Sequence, residues 1–200
     1  MKTQPIIKAG ILLFIFTAVS VFFVSLMHDS TKNRIQYNEE QLLTQRLGEL
    51  VKNYDNNILQ DKFSKQITLH GITQTISIYP AKKNNQIFAY LIEHTYPNGY
   101  SGKIRLLTGI DTSNQLLGVR IIAHQETPGL GDKVETKKSN WIKQFKGLSL
   151  SNPSKTQWKV KPDGGTFDAF TGATITPRAV VTATYQLLIY FSKHKKLLHK

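Results

Sequence analysis

An uncharged apolar run lies near the start of the chain. Residues 9–27 contain no charged side chain and nothing more polar than serine and threonine. As a helix rising ~1.5 Å per residue, the run would reach roughly 28 Å, close to the ~30 Å thickness of a bilayer core. The run continues into Leu26, Met27 and His28 without the small residues of a cleavage site, which favours a retained anchor over a removed signal peptide. Residues 1–29 are therefore predicted to form a short stub and a transmembrane helix.

The charges that flank this run indicate its orientation. Lys2 and Lys8 precede the span, and the positive-inside rule would keep them in the cytoplasm. Lys32 and Arg34 follow the span and weaken this argument. We expect a single-pass protein with a cytoplasmic N-terminus and a main domain that faces the outside of the inner membrane.

The next segment, residues 30–65, has apolar positions at helical spacing with charged residues between them. This pattern predicts an amphipathic helical stalk between the anchor and the main domain. The apolar positions are Ile35, Leu42, Leu43, Leu47, Leu50, Val51 and Tyr54.

The pattern changes in the remaining segment, residues 66–200, to short apolar runs separated by turn-like polar clusters. This alternation predicts a largely antiparallel sheet. A helix is predicted over 139–145, and a final helix with Thr176 as its N-cap and Pro177 at its first position. The main domain is therefore expected to be of mixed α+β class. The apolar runs are 76–79, 87–92, 104–107 and 116–122.

Composition and charge narrow the chemistry. The chain has no cysteine, which excludes disulfides, thiolate metal sites, iron–sulfur clusters and cysteine nucleophiles. Any redox chemistry must therefore come from a bound cofactor. The net charge of +13 comes mostly from lysines in scattered groups. Because nucleic-acid binding favours a clustered basic patch with a reading element, we expect no nucleic-acid partner.

Two polar joints between the predicted elements are candidate sites. The first is the sequence HQETPGLGD at 124–132, where proline and the glycines prevent a regular strand or helix and allow a ligand to approach the backbone. An ordinary tight turn explains the same residues. His124 and Glu126 are a weak metal signal, because the sequence shows no convergent third ligand.

The second joint is DAFTGATITP at 168–177, directly before the final helix. A helix N-terminus offers unpaired N–H groups and the positive end of the helix dipole, so a phosphate near Thr174 would be stabilised there. The alternative is that Thr176 caps the helix and the other threonines are surface turn residues.

Both joints resemble signatures of a known family. Asp168, Thr171, Gly172, Ala173 and Thr174 match every fixed position of the Asp-x-x-(Ser/Thr)-Gly-Ala-Thr flavinylation motif of FMN-binding domains, and ETPGLG at 126–131 resembles their second signature. With the anchor, the segment at 99–102 and the length, the chain resembles the G subunits of Rnf (Rsx) ion-translocating electron transport complexes. The C subunit of the sodium-translocating NADH:quinone reductase shares both motifs and is the alternative.

The resemblance implies a cofactor, a site and partners. FMN would be joined through its phosphate to Thr174 by a flavin transferase, and the chain would relay electrons within a membrane complex that couples ferredoxin and NAD chemistry to ion translocation. The other proteins of the complex and the membrane would be its partners. No catalytic residue and no independent turnover are expected. The further cofactor-binding residues would be Asp168, Thr171, Gly172, Ala173, Thr176, Glu126, Thr127, Gly129 and Leu130.

Two other function classes stay open on the sequence alone. One is a non-redox, membrane-anchored binding or assembly protein, in which the threonines only cap a helix. The other is a hydrolase or transferase that uses His124 and Glu126 as an acid/base pair, although the sequence shows no nucleophile to go with them.

Overall fold

The computed structural model describes residues 3–194. The chain divides into two compact units, with the boundary between Thr44 and Gln45. The last lysines of the sequence, at 195–200, lie outside the described residues.

One helix, α1 (Thr3–Leu50), makes up the described part of the first unit and continues into the second. Its large apolar side chains from Ile6 to Met27 are exposed. In the part of the chain that the structure describes, α1 is the one helix that is long and apolar enough to cross a membrane. This helix contains the predicted anchor.

The helix ends well before residue 65, where the sequence predicts the end of a helical stalk. The segment that follows Leu50 is rich in asparagine and aspartate, whose side chains compete for backbone hydrogen bonds and favour turns. Asn53 already adopts a left-handed φ of 63°, and the first strand starts at Phe63. The domain boundaries 1–29, 30–65 and 66–200 stay a prediction.

Five antiparallel strands form one sheet in which each strand pairs with its sequence neighbour. They are β1 (Phe63–Leu69), β2 (Ile72–Lys83), β3 (Gln86–Tyr96), β4 (Ile104–Asp111) and β5 (Leu116–Ala123). Two-residue turns with positive φ at both positions, His70-Gly71 and Asn84-Asn85, join the first three strands. Such turns match the twist of paired strands and select glycine and asparagine. The predicted antiparallel sheet is confirmed.

Both faces of the sheet are covered. On one face, α2 (Ile175–His194) packs its buried side chains, including Leu187 and Phe191, against sheet residues such as Tyr90. On the other face, Leu50 lies over Gly109 of β4 and Gly118 of β5, since a Cβ at these positions would be 3.7 Å from Leu50 Cβ and 2.9 Å from Leu50 Cδ2, respectively. The molecule therefore has the α+β fold that the sequence predicts.

The chain between β5 and α2 consists of loops and short 3₁₀ turns. The predicted helix over 139–145 is one of these turns, at Trp141–Phe145. Gly147, with a φ of 82°, stops it from extending, and the Phe145 ring stacks on Phe167 at 4.9 Å between centroids. The turn therefore anchors the long connection to the core without forming a full helix.

Candidate functional site

A cavity of about 440 Å³ opens where three segments of the second unit meet. The segments are the turn at 99–102, the loop at 126–131 and the N-terminal end of α2. The volume lies within the range of ~300–1,000 Å³ that is usual for small-molecule sites. The lining residues are Tyr100, Glu126, Thr127, Leu130, Gly131, Gly172, Ala173, Thr174, Ile175 and Thr176.

The buried carboxylate of Glu126 joins these three segments. Only 4% of this residue is exposed. Its Oε2 accepts a hydrogen bond of 2.5 Å from Thr176 Oγ1, and its Oε1 accepts one of 3.2 Å from the backbone N–H of Ser101. A buried carboxylate is costly unless hydrogen-bond donors surround it. Glu126 therefore fixes the turn and the helix end relative to its own loop.

Glycine keeps the cavity open beside this carboxylate. A Cβ at Gly131 would lie 2.8 Å from Thr176 Oγ1 and 2.9 Å from Glu126 Oε2. Any side chain at this position would collide with the hydrogen-bonded pair. The loop can therefore approach the end of α2 only because residue 131 is glycine.

The first helical residue of α2 is Ile175, so Thr174 precedes the helix. The backbone carbonyl of Thr174 accepts a hydrogen bond from the N–H of Arg178 at 3.4 Å, as expected of an N-cap residue. The helix thus starts before the predicted cap at Thr176. Thr176 lies within the helix, and its hydroxyl donates to Glu126 Oε2.

The Thr174 side chain is exposed in the cavity. Within residues 3–194, no group forms a hydrogen bond with its hydroxyl. The hydroxyl lies at the end of α2 where N–H groups of the first turn are unpaired and the helix dipole is positive. This is the chemical environment that suits a phosphate.

The loop before Thr174 is held in place from outside the cavity. The Trp141 indole N–H donates to the Asp168 carbonyl at 2.8 Å, and the Lys161 ammonium pairs with the Asp168 carboxylate at 2.6 Å. Phe170 and Ala173 form an antiparallel bridge, with Gly172 in a left-handed turn at a φ of 80°. The motif is therefore a fixed loop that presents its threonines outward.

A second ion pair flanks the helix start. Arg178 donates from Nε and Nη2 to the two carboxylate oxygens of Asp163, at 2.6 and 2.8 Å. These hydrogen bonds hold the pKa of Asp163 below its usual range. The pair links the short turn at Lys161–Asp163 to the first turn of α2.

The structure brings most of the sequence-predicted residues together, but not all of them. Asp168, Thr171 and Gly129 do not line the cavity. Sequence reasoning assigned no role to Tyr100 or Ile175, which do. An aromatic residue between two turn glycines, at 99 and 102, is the signal that could have indicated Tyr100. The predicted residues that line the cavity are Glu126, Thr127, Leu130, Gly172, Ala173, Thr174 and Thr176.

His124 and the Glu126 carboxylate do not form an acid/base pair. The His124 Nδ1 accepts from the backbone N–H of Glu126 at 2.9 Å, which leaves the proton on Nε2 to face Glu135 at 2.8 Å. The Glu126 carboxylate is bonded to Thr176 and Ser101 instead. In the described part of the chain, no cluster of three or more histidine, aspartate or glutamate side chains could hold a metal ion. The geometry gives the hydrolase hypothesis no support.

Two protein families match separate parts of this chain. Residues 99–189 match the FMN-binding domain family, and this range includes every residue of the cavity. Residues 1–50, which include α1, match the RnfG N-terminal region. The second match favours the Rnf protein over its counterpart in the sodium-translocating reductase.

Curated relatives cover almost the whole chain. A protein of Vibrio cholerae serotype O1 (strain M66-2) is 41% identical over 194 residues, covering 96% of this chain and 93% of the relative. A Pseudomonas aeruginosa protein (strain UCBPP-PA14) is 40% identical over 200 residues, and one of Shewanella piezotolerans is 38% identical over 198. Each of these two covers 98% of this chain, and all three relatives are named as the G subunit of an ion-translocating oxidoreductase complex. The chain therefore belongs to the RnfG family, the G subunits of Rnf-type ion-translocating oxidoreductase complexes.

Proposed function

We propose that this protein is a membrane-anchored electron carrier with FMN attached covalently through its phosphate to Thr174. The observation that carries the proposal is the exposed, unbonded hydroxyl of Thr174, at the N-terminus of α2 and inside a cavity of the FMN-binding domain. A phosphoester to this hydroxyl would have its negative charge beside the positive end of the helix dipole.

The residues around the cavity fit FMN in size and in chemistry. The volume of about 440 Å³ suits a cofactor of this size with part of it at the mouth. Hydroxyl groups and glycines surround the phosphate end, and apolar side chains of Leu130 and Ile175 suit the flat ring system. When bound, FMN supplies one- and two-electron redox chemistry that the side chains of this chain lack.

The chain's own residues bind the FMN and orient it. Thr174 tethers the phosphate, Gly172 and Ala173 leave room for it, and Glu126 holds the helix end through Thr176. Leu130 and Ile175, both 42% exposed, reduce water contact at the mouth. No acid or base is required of the protein, since it relays electrons and does not convert a substrate.

The relatives are named as subunits of a complex, and this name indicates the partners of this chain. We propose that α1 anchors the chain in the inner membrane, that the domain from residue 66 onward faces the periplasm, and that the other proteins of the complex exchange electrons with it. A flavin transferase would attach the cofactor. The fixed, outward-facing loop at 168–174 supports this step, because an enzyme can reach the Thr174 hydroxyl from solvent.

The test is covalent flavin on the denatured protein. The full chain is expressed with a flavin transferase and run on a denaturing gel, and flavin fluorescence of the band is measured. We expect a bright band for the unchanged chain and for Thr166→Ala, and a dark band for Thr174→Ala. Thr166 is the matched control, because it is also an exposed threonine before α2 and does not line the cavity.

Two results would count against the proposal. A bright Thr174→Ala band would place the linkage on another residue. A dark band for the unchanged chain, in cells where a known flavinylated protein is bright, would support the non-redox binding protein instead.

A further inference from the structure

Tyr100 has an unusual position for a large aromatic residue. It lines the cavity, yet 67% of it is exposed. Within residues 3–194, no ring stacks on it and no group forms a hydrogen bond with its hydroxyl. The fold itself gains little from a tyrosine at this position.

The backbone beneath Tyr100 is nevertheless fixed. The N–H of Gly99 donates to the Gly102 carbonyl at 2.9 Å, which closes the turn, and the N–H of Ser101 donates to Glu126 Oε1 at 3.2 Å. A Cβ at Gly99 would lie 2.7 Å from the same oxygen, so the turn is pressed against the carboxylate. The tyrosine is therefore held beside the cavity by its main chain, while its ring remains uncovered.

Three large side chains with apolar surface are exposed at this cavity: Tyr100, Leu130 and Ile175. The first two come from different loops. The buried residue Glu126 connects the two loops. It belongs to the loop that contains Leu130, and its carboxylate accepts a hydrogen bond from Ser101 in the loop that contains Tyr100. A flat aromatic ligand offers two broad faces, and aromatic and branched aliphatic side chains are the usual contacts for such faces.

We propose that Tyr100 is a flavin-contacting residue, whose ring packs on the isoalloxazine of the FMN held by Thr174. This inference rests on the proposed function and adds a residue to it. The tyrosine covers one part of the ring system and holds it at the mouth of the cavity, where electrons must enter and leave.

The test uses flavin fluorescence in the native full chain, purified in detergent with FMN attached. A tyrosine in contact with a photoexcited flavin donates one electron to it and receives the electron back, so the emission is quenched and nothing is oxidised overall. Phenylalanine packs similarly but is a far poorer electron donor. We expect the emission lifetime to lengthen several-fold in Tyr100→Phe and in Tyr100→Leu.

A second readout separates contact from electron donation. The visible circular dichroism of the flavin, which reports a fixed ring environment, should persist in Tyr100→Phe and weaken in Tyr100→Leu. The matched control is Tyr190→Leu, since Tyr190 stacks on His194 in the last turns of α2 and does not line the cavity. This control should leave both signals unchanged.

The outcomes distinguish this inference from the function on which it rests. Unchanged lifetimes in both Tyr100 variants, with flavin still present on the denatured band, would overturn the role of Tyr100 alone. An unchanged chain without covalent flavin would overturn both. Because Tyr100 is exposed, neither substitution is expected to impair folding.

Discussion

His94 is a buried histidine whose pKa is shifted by its surroundings. It is 2% exposed, and burial lowers its pKa to about 3, with the neighbouring His70 adding to the effect. The His94 Nε2 lies 3.0 Å from Thr108 Oγ1 and its Nδ1 lies 3.4 Å from His70 Nε2. His70 in turn lies 2.7 Å from Gln186 Oε1 on α2. This polar chain links the sheet to the helix and depends on a neutral His94.

Stability should therefore fall with acidification. Below the ordinary histidine pKa of 6.5 the unfolded chain binds a proton that the folded chain excludes until about pH 3. In this window, protonation linked to His94 should lower the free energy of unfolding by about 1.4 kcal/mol for each unit by which the pH falls. Urea unfolding of the full chain in detergent, followed by tryptophan fluorescence at pH 7 and pH 5, measures the effect.

The variant His94→Gln should lose less stability between these two pH values, because glutamine cannot take up the proton. His28→Gln, at an exposed position of α1, is the matched control and should behave like the unchanged chain. Equal losses in His94→Gln and in the control would show that His94 does not contribute.

At the same scale, the sequence identifies some site residues and not their partners. The proposed attachment residue, Thr174, can be identified because its motif is local. The bond between Glu126 and Thr176 cannot, since it joins residues 50 positions apart through the packing of α2 on the sheet. For this reason Thr176 looks like a helix cap in the sequence and is a hydrogen-bond donor to a buried carboxylate in the structure.

At the scale of elements, the contact between the loop at 126–131 and α2 depends on Gly131. The variant Gly131→Ala would place a methyl group 2.8 Å from Thr176 Oγ1, where overpacking typically costs ~1–3 kcal/mol. We expect a lower midpoint of urea unfolding and less flavin on the denatured band. Gly48→Ala is the control, because a Cβ there meets nothing within 4 Å and α1 should gain up to ~1 kcal/mol. Equal midpoints for the two variants would refute this account of Gly131.

The elements themselves differ in how well the sequence predicts them. The strands β2 to β5 follow from apolar runs and from turn residues such as Asn84 and Asn85. The start of β1 is missed because its first residues alternate with exposed polar ones. The end of α1 at Leu50 is missed because apolar positions continue in helical register up to Tyr54, while the asparagines and aspartates that stop the helix give a weaker signal.

At the scale of the whole molecule, the absence of cysteine makes the orientation directly measurable. A single cysteine at the exposed Ser151 would be the only thiol in the chain. If the main domain is periplasmic, a maleimide that cannot cross the inner membrane should label Ser151→Cys in cells whose outer membrane alone is permeabilised. Gln4→Cys, the matched control before the span, should react only after the inner membrane is broken. The reverse pattern would invert the orientation.

The sheet order β1-β2-β3-β4-β5 has a consequence for biogenesis. Every pairing in it joins consecutive strands through a short connection, and contacts between close neighbours in sequence form early and quickly in folding. The last element that the structure describes is α2, which follows Thr174 and forms one end of the cavity. In the proposed orientation, a nascent chain can thus pair all five strands before Thr174, the proposed attachment residue, has been translocated. The proposed cofactor loading at Thr174 then belongs to the end of maturation, because a chain that ends before α2 lacks the helix that covers one face of the sheet and forms one end of the cavity.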